Sequence, residues 1–548
     1  IYLTMAVELA KQDPAKLASL VEHVDNLPPD ARELLLEQIK SEEVMRLDED
    51  IRVVLWNTLE RMVSRHRRHP DAQWALPSFM VDEIEKAAET IAPKSLTYRF
   101  QRLFDDRDFE LLDRKGGYRD QQERLEGKRR DAVNHVLQDG GFNAVITFAR
   151  KAKSPEKVGA ALGGLDCDST ENEILPALLL DNEKALSLLA EGYVWGRFGR
   201  CGWSWVESLK LKSWTPEQQG QFLARLPFMP ETWERVSQFM ADDESSYWKK
   251  TPANPFDTQV DMTPAIKRLV AFDRPNAAVG CIEGMLLKNQ AIDREAAITA
   301  LNAVSESSSD PRPIDPHAIT HIIESLQEGK DVPKKDLAAI EWKFLSLLVH
   351  GHEVRPLTLE CELAESASFF CEAVRAVYRS KNEDADAREP SEEEKARASS
   401  VFTLLFHWKY PPGFQEDGSF DGKHFTAWLS QVKTECTASG HLDVALVLIG
   451  HVLMHCPEDP DGLWLPHPVA EALNAPDAES MRNGFRTELI NSRGAHFSTA
   501  GEDEKKLAEK YEQYAQAVEK YHRLAAELRK LADWYRCEAQ RQSERDFD

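Results

Sequence analysis

The chain has 548 residues and a mass of 62.2 kDa, with 42% hydrophobic and 29% charged residues. That suffices for a large buried core and excludes collagen-like, low-complexity and wholly disordered classes. Acidic side chains number 93 against 68 basic ones, for a net charge of −25 and a pI near 5.2, so the broad basic face that phosphate-backbone binding needs is not expected, nor is nucleic acid as a main partner.

The richest apolar run, residues 444–454, is broken by Gly450 and His451 and falls short of the ~20 residues of a membrane span. The start, Ile1-Tyr-Leu-Thr-Met5, lacks an initiator Met and the segments of a signal peptide, and reads as a cut made inside a longer chain. The cysteines, Cys167, Cys201, Cys281, Cys361, Cys371, Cys436, Cys456 and Cys537, form no Cys-x-x-Cys pair. They suggest neither a disulfide framework nor a zinc ribbon, but the reduced thiols of a cytoplasmic protein.

Along the chain the apolar spacing is helical. Leu17, Leu20, Val21 and Val24 make one stripe, which Asn26-Leu-Pro-Pro-Asp30 breaks. Asp30 with Glu33 resembles a capping box for a helix carrying Leu34, Leu35 and Ile39. Ile51, Val54, Leu55, Leu59 and Met62 form a third stripe, and the cluster Arg65-His66-Arg67-Arg68-His69 behind it reads as cations complementing a helix C-terminus, rather than as a contact for an acidic partner or RNA. Thr215-Pro-Glu-Gln218 is a second capping box, ahead of Phe222, Leu223 and Leu226, and another helix starts near Pro230.

Between Thr263 and Val349 five starts follow one another: Thr263-Pro264, Arg274-Pro275, Asp293, Asp315-Pro316 and Pro333. Prolines are expected here in first turns, where the missing N–H does no harm. Alternate starts, such as Pro275 and Asp315, lie about 40 residues apart, the pitch of helical-hairpin repeats. Residues 114–130, 305–313, 381–399 and 411–422 are charged or turn-rich and read as solvated connections. Divisions near 210, 310 and 410 give the segments 1–210, 211–310, 311–410 and 411–548. Finally Leu507, Tyr511, Tyr514, Val518, Tyr521, Ala525, Leu528, Ala532, Tyr535 and Ala539 alternate spacings of four and three, a heptad seam. It predicts a long helix or helical hairpin, packed on its own chain or used for self-association. No β alternation long enough for a sheet appears, so the expected fold is all-α: a TPR- or HEAT-like α-solenoid of stacked antiparallel helix pairs.

Catalytic signatures are lacking. The pairs Gly127-Lys128 and Gly422-Lys423 have Gln122 and Asp417 where a P-loop has its first glycine. The pairs His317/His321 and His451/His455 lack the glutamate base of a zinc hydrolase, since Ala318 and Val452 follow the first histidines. No catalytic residue, cofactor or metal is assigned. One segment stands out: residues 192–205 interleave four glycines with Tyr193, Trp195, Arg197, Phe198, Arg200, Trp203 and Trp205. Aromatic and arginine side chains anchor interfaces, and glycines allow close backbone approach. The segment is therefore either a packed elbow between helical layers or a partner contact.

Gly192-Tyr-Val-Trp-Gly-Arg-Phe, Leu226-Pro-Phe-Met-Pro-Glu-Thr-Trp233, Tyr247-Trp248, Arg274-Pro275 and Asn491-Ser-Arg-Gly494 together resemble the helical-repeat C-terminal regions of large bacterial STAND-type ATPases of the Avs antiviral class. The resemblance implies the sensor region of an antiphage protein, which binds a viral protein and relays this to nucleotide-binding and effector domains absent from these residues. It assigns no binding residue to a numbered position. The expected partner is a protein with a basic or mixed surface; the alternatives are a constitutive scaffold or oligomerisation region and an unrecognised enzyme.

Overall fold

In a computed structural model, residues 14–105, 117–165, 171–240, 243–254, 260–304, 310–329, 331–350, 354–382, 391–415, 417–494 and 501–545 are described. Packing divides the chain into two units, Ile1–Val260 and Asp261–Asp548. Among the described residues there is no strand, only one antiparallel bridge between Phe414 and Phe420. The all-helical class read from the apolar spacing is what the molecule has.

The first unit contains α1 (Pro14–Val21), α2 (Pro29–Ile39), α3 (Glu42–Met45), α4 (Glu49–Arg68), α5 (Ser78–Ile91), α6 (Leu96–Phe100), α7 (Tyr118–Lys151), α8 (Pro155–Gly163), α9 (Glu171–Leu179), α10 (Lys184–Ser208), α11 (Pro216–Leu223), α12 (Pro230–Phe239) and α13 (Ser245–Trp248). One core gathers Leu35, Ile39, Leu55, Leu59, Ile84 and Ile91 from α2, α4 and α5. A second joins Phe104, Val133, Phe148, Val158 and Leu189 from the segment before α7 and from α7, α8 and α10.

Thr215 and Gln218 form the capping box expected at α11. The box at Asp30 and Glu33 is absent: Pro28 is the N-cap, because Pro29 already supplies the fixed φ of the first helical position and moves the start ahead of Asp30. The charged stretch 114–130 is no connection in its described part, since α7 starts at Tyr118 and runs through it. Arg129 explains the helix, as its buried guanidinium donates to Leu103 O at 2.8 Å and to Glu126 Oε1 at 2.7 Å. The bend in α7 falls instead at Gly140-Gly141, where Gly141 has φ of 65°.

The second unit contains α14 (Thr263–Ala271), α15 (Pro275–Leu286), α16 (Arg294–Val304), α17 (Pro316–Gln327), α18 (Lys334–Lys343), α19 (Leu345–His350), α20 (Leu357–Glu365), α21 (Ala367–Val377), α22 (Glu392–His407), α23 (Gly422–Ser439), α24 (Leu442–Leu453), α25 (His467–Asn474), α26 (Glu479–Asn491), α27 (Glu502–Ala517) and α28 (His522–Arg545). From α14 to α19 each helix packs on its successor, and most also on the next but one. Pro264, Pro275 and Pro316 stand in first turns, and Asp315 caps α17 by accepting from the His317 and Ala318 N–H groups. Two positions differ by one residue: Met262 rather than Thr263 is the N-cap of α14, and Pro333 is itself the N-cap of α18, not its first turn. In residues 381–399, of which 383–390 lie outside the described residues, a Ser391–Glu394 capping box opens α22; of the 305–313 stretch, 305–309 lie outside as well.

The terminal heptads fold as the hairpin α27–α28. Tyr511 and Tyr535 stack with centroids 5.6 Å apart, and Tyr514 stacks on Trp464 at 4.3 Å. Val518, Ala525, Leu528 and Ala532 are buried in the same core, and Ala539 is buried as well. The seam is thus closed within the unit, as the self-packed alternative requires.

Candidate functional site

The glycine-aromatic segment lies on α10 and bends only at Gly202, where φ is 59°. Upstream of that bend it is not an elbow but one half of a close helix crossing. A Cβ on Gly192 would lie 1.8 Å from Glu156 O, and one on Gly196 2.2 Å from Ala160 O. Reciprocally, a Cβ on Gly159 would lie 1.9 Å from Leu189 O, and one on Gly163 2.4 Å from Tyr193 O. Two Gly-x-x-x-Gly faces thus let α8 and α10 touch backbone to backbone, which no residue with a side chain would permit.

Around this crossing, and with Ala190 and Val194 on the opposite face of α10 buried as well, the seven candidate residues separate. Trp205 is buried, with its ring 5.6 Å from Phe222 and 6.4 Å from Tyr193. Trp203 stacks under Arg235 at 4.0 Å, donates to Glu231 Oε2 at 2.7 Å and meets Phe198 edge-on at 5.0 Å. Arg197 donates to Leu165 O at 2.8 Å and Arg200 to Gly164 O at 2.5 Å. Trp195 is 56% exposed and Arg200 is exposed as well.

Trp195 and Arg200 line a cleft of about 1120 Å³ within the first unit. Its walls come from α7 (Glu126, Arg129, Arg130), α8 (Glu156, Lys157, Ala160) and α10. The segment 224–228 after α11 adds Pro227 and Phe228, and Pro252 and Asn254 close one side. The lining mixes aromatic, aliphatic and charged groups. Two of the charges are paired across the cleft wall, Arg225 lying 2.5 Å from Glu191. Burial raises the Glu191 pKa against the opposing pull of Arg225, and lowers the Arg225 pKa. The pair is therefore held at a desolvation cost, and serves to fix the wall.

Arg130, Glu156 and Phe228 come from separate elements and were not singled out by the sequence. The Gly-x-x-x-Gly spacing of both helices was the one signal available for the crossing that assembles them.

The other sequence candidates resolve into structure. Arg65 lies over Trp74 at 4.5 Å, the buried His66 accepts from the Leu76 N–H at 3.1 Å, and Arg67 pairs with Asp82 and Glu85. The cluster thus completes the C-terminus of α4. His321 contacts Glu283 at 2.9 Å. Burial, with Lys409 and Arg355 nearby, lowers the His455 pKa to about 4.

Asp459, Asp461 and His467 bring potential ligand atoms within 4.8 Å of one another. Their atoms already order the turn: His467 Nε2 lies 2.7 Å from Asp461 Oδ2, the His467 N–H donates to Asp459 Oδ2 at 3.1 Å, and Lys520 Nζ stands 3.3 Å from His467 Nδ1. A lysine cation there competes with a metal ion for the same acidic site.

Comparison with protein-family models, with curated proteins and with solved structures finds no match to this chain.

Proposed function

We propose that the chain is a non-enzymatic protein-recognition module, built of stacked antiparallel helix pairs in the manner of an α-solenoid and working in the cytoplasm. The observation that carries this reading is Trp195: a large, half-exposed indole held on a helix whose position is set by backbone contact, inside a mixed-polarity cleft. Rigid aromatic anchors beside arginine are what protein interfaces concentrate, since they bury much area at little conformational cost. The successive packing of α14 to α19 supports the repeat architecture, in which each hairpin adds surface while contacting only its neighbours.

In keeping with the resemblance to Avs-class sensor regions, the partner in this reading is a phage protein with a basic or mixed surface, and binding is relayed to nucleotide-binding and effector domains outside these residues. The scaffold alternative draws less support, because the terminal seam is occupied by its own hairpin. The test is affinity capture from phage-infected and uninfected bacterial lysates with the wild-type chain and with Trp195→Ala. Retention of one viral protein by the wild type and its loss from an equally stable variant is the expected result. Equal capture by both chains, or none by either, refutes the assignment.

A further inference from the structure

In the second unit the Cys371 and Cys436 sulfurs lie 3.5 Å apart, one on α21 and one on α23, and both residues are fully buried. Hydrogen bonds hold the two helices together on either side of this contact. On one side Ser368 Oγ donates to Glu435 Oε1 and Gln431 Nε2 donates to both, each at 2.9 Å. On the other, Ser380 Oγ donates to Ser439 O at 2.7 Å, the Lys381 N–H to Gly440 O at 3.1 Å, and His441 Nε2 lies 2.9 Å from Tyr378 O. The sulfurs are thus kept in contact by the fold. A disulfide needs them at about 2.0 Å, an approach of roughly 1.5 Å from the present contact. A solitary buried thiol is an inert hydrophobe. This one, once oxidised, has a second thiol already against it.

We propose that Cys371 and Cys436 form a reversible, oxidant-driven disulfide that staples α21 to α23. The oxidant is a peroxide. One thiolate attacks a peroxide oxygen, the O–O bond breaks, a sulfenic acid forms, and the departing hydroxide takes up the thiol proton as water. The second sulfur then attacks the sulfenic sulfur: the S–S bond forms, the S–O bond breaks, and the hydroxide leaves with the second thiol proton as another water. Two thiols and one peroxide thus give a disulfide and two waters, and an external dithiol reverses the step by exchange. The hydrogen bond between the thiols lowers the Cys436 pKa and raises that of Cys371, which makes Cys436 the first nucleophile. Burial makes access depend on local opening, so the exposed Cys537 reacts sooner, but with no partner thiol beside it among the described residues.

The test uses the intact chain treated with hydrogen peroxide, denatured, alkylated with N-ethylmaleimide and digested. The expected product is a linked peptide pair containing Cys371 and Cys436, about 2 Da lighter than the two reduced peptides and absent after dithiothreitol. Because the link closes a loop of 65 residues, oxidation should also raise the melting temperature by several degrees, at most roughly 10 °C. In Cys371→Ser both the linked peptide and the thermal shift should vanish. Recovery of both cysteines fully alkylated once Cys537 is completely oxidised overturns the proposal, as does a link to any other cysteine or a thermal shift that survives in the variant. If the variant does not fold, the wild-type peptide map decides alone.

Discussion

Alanine at Gly192 and alanine at Gly199 should move stability in opposite directions, although the two glycines lie on the same helix. At Gly192 the new Cβ would stand 1.8 Å from Glu156 O and 2.6 Å from its carbonyl carbon, against the 3.4 Å at which ordinary contact begins. Both obstructing atoms are backbone, so no rotamer change relieves the clash and the helices must part by about 1.6 Å, loosening the core around Val158 and Leu189. Overpacking of this kind costs about 1–3 kcal/mol, and a displacement set by backbone belongs at the upper end. The intrinsic gain of alanine over glycine in a helix, about 0.5–1 kcal/mol, offsets part of it. A net loss of about 2 kcal/mol is expected, or roughly 4–8 °C in melting temperature for a unit of this size. At Gly199 a Cβ meets nothing within 4 Å, so only the propensity remains and a gain of about 0.5–1 kcal/mol is expected. Thermal and urea unfolding of the two variants beside the wild type measures both. If Gly192→Ala is as stable as the wild type, or if the two variants shift alike, the reading of the α8–α10 crossing is wrong.

The tryptophans on the same helix should also part company. Trp195→Ala should change stability by less than about 0.5 kcal/mol, while Trp205→Ala, which empties a buried site, should cost about 3–5 kcal/mol in denaturant unfolding. His455 should make the second unit acid-sensitive: its folded pKa of about 4 lies below the ordinary histidine value of 6.5, so the stability it contributes is complete above pH 6.5 and is lost as the pH falls towards 4. Allowing for partial solvent access the loss is on the order of 2 kcal/mol, and His455→Gln should flatten unfolding free energy against pH in that window; an unchanged slope refutes the assignment. Glu341 is buried and accepts from Gln327 Nε2 at 2.9 Å and from the Thr358 and Leu359 N–H groups at 3.0 and 2.9 Å, capping α20 from a neighbouring helix. Glu341→Ala, which leaves these donors buried and unpaired, should cost about 2–3 kcal/mol, read as a lower urea midpoint.

Helix positions were legible in the sequence because they depend on local rules. The Thr215–Gln218 box, the first-turn prolines at 264, 275 and 316 and the three-four spacing of Leu55, Leu59 and Met62 each act within one or two turns. The misplaced ends at Asp30 and Pro333 are competitions between adjacent capping residues, which differ by a few tenths of a kcal/mol. Even the terminal heptads specified only a seam, and the partner closing it, a second helix from the same chain, is a matter of turn placement near Val518. The cleft was illegible for a different reason. The glycines at 192 and 196 announced a close approach, but which helix approaches, and hence which aromatics face inward, depends on the matching pair at 159 and 163. That crossing leaves Trp195 exposed and brings α7, α8 and α10 around one space, while Trp205, beyond the Gly202 bend, is buried against Phe222. Residue type and spacing determine the faces a helix offers; only long-range packing, in which those faces compete for one another, decides which remain open to a partner.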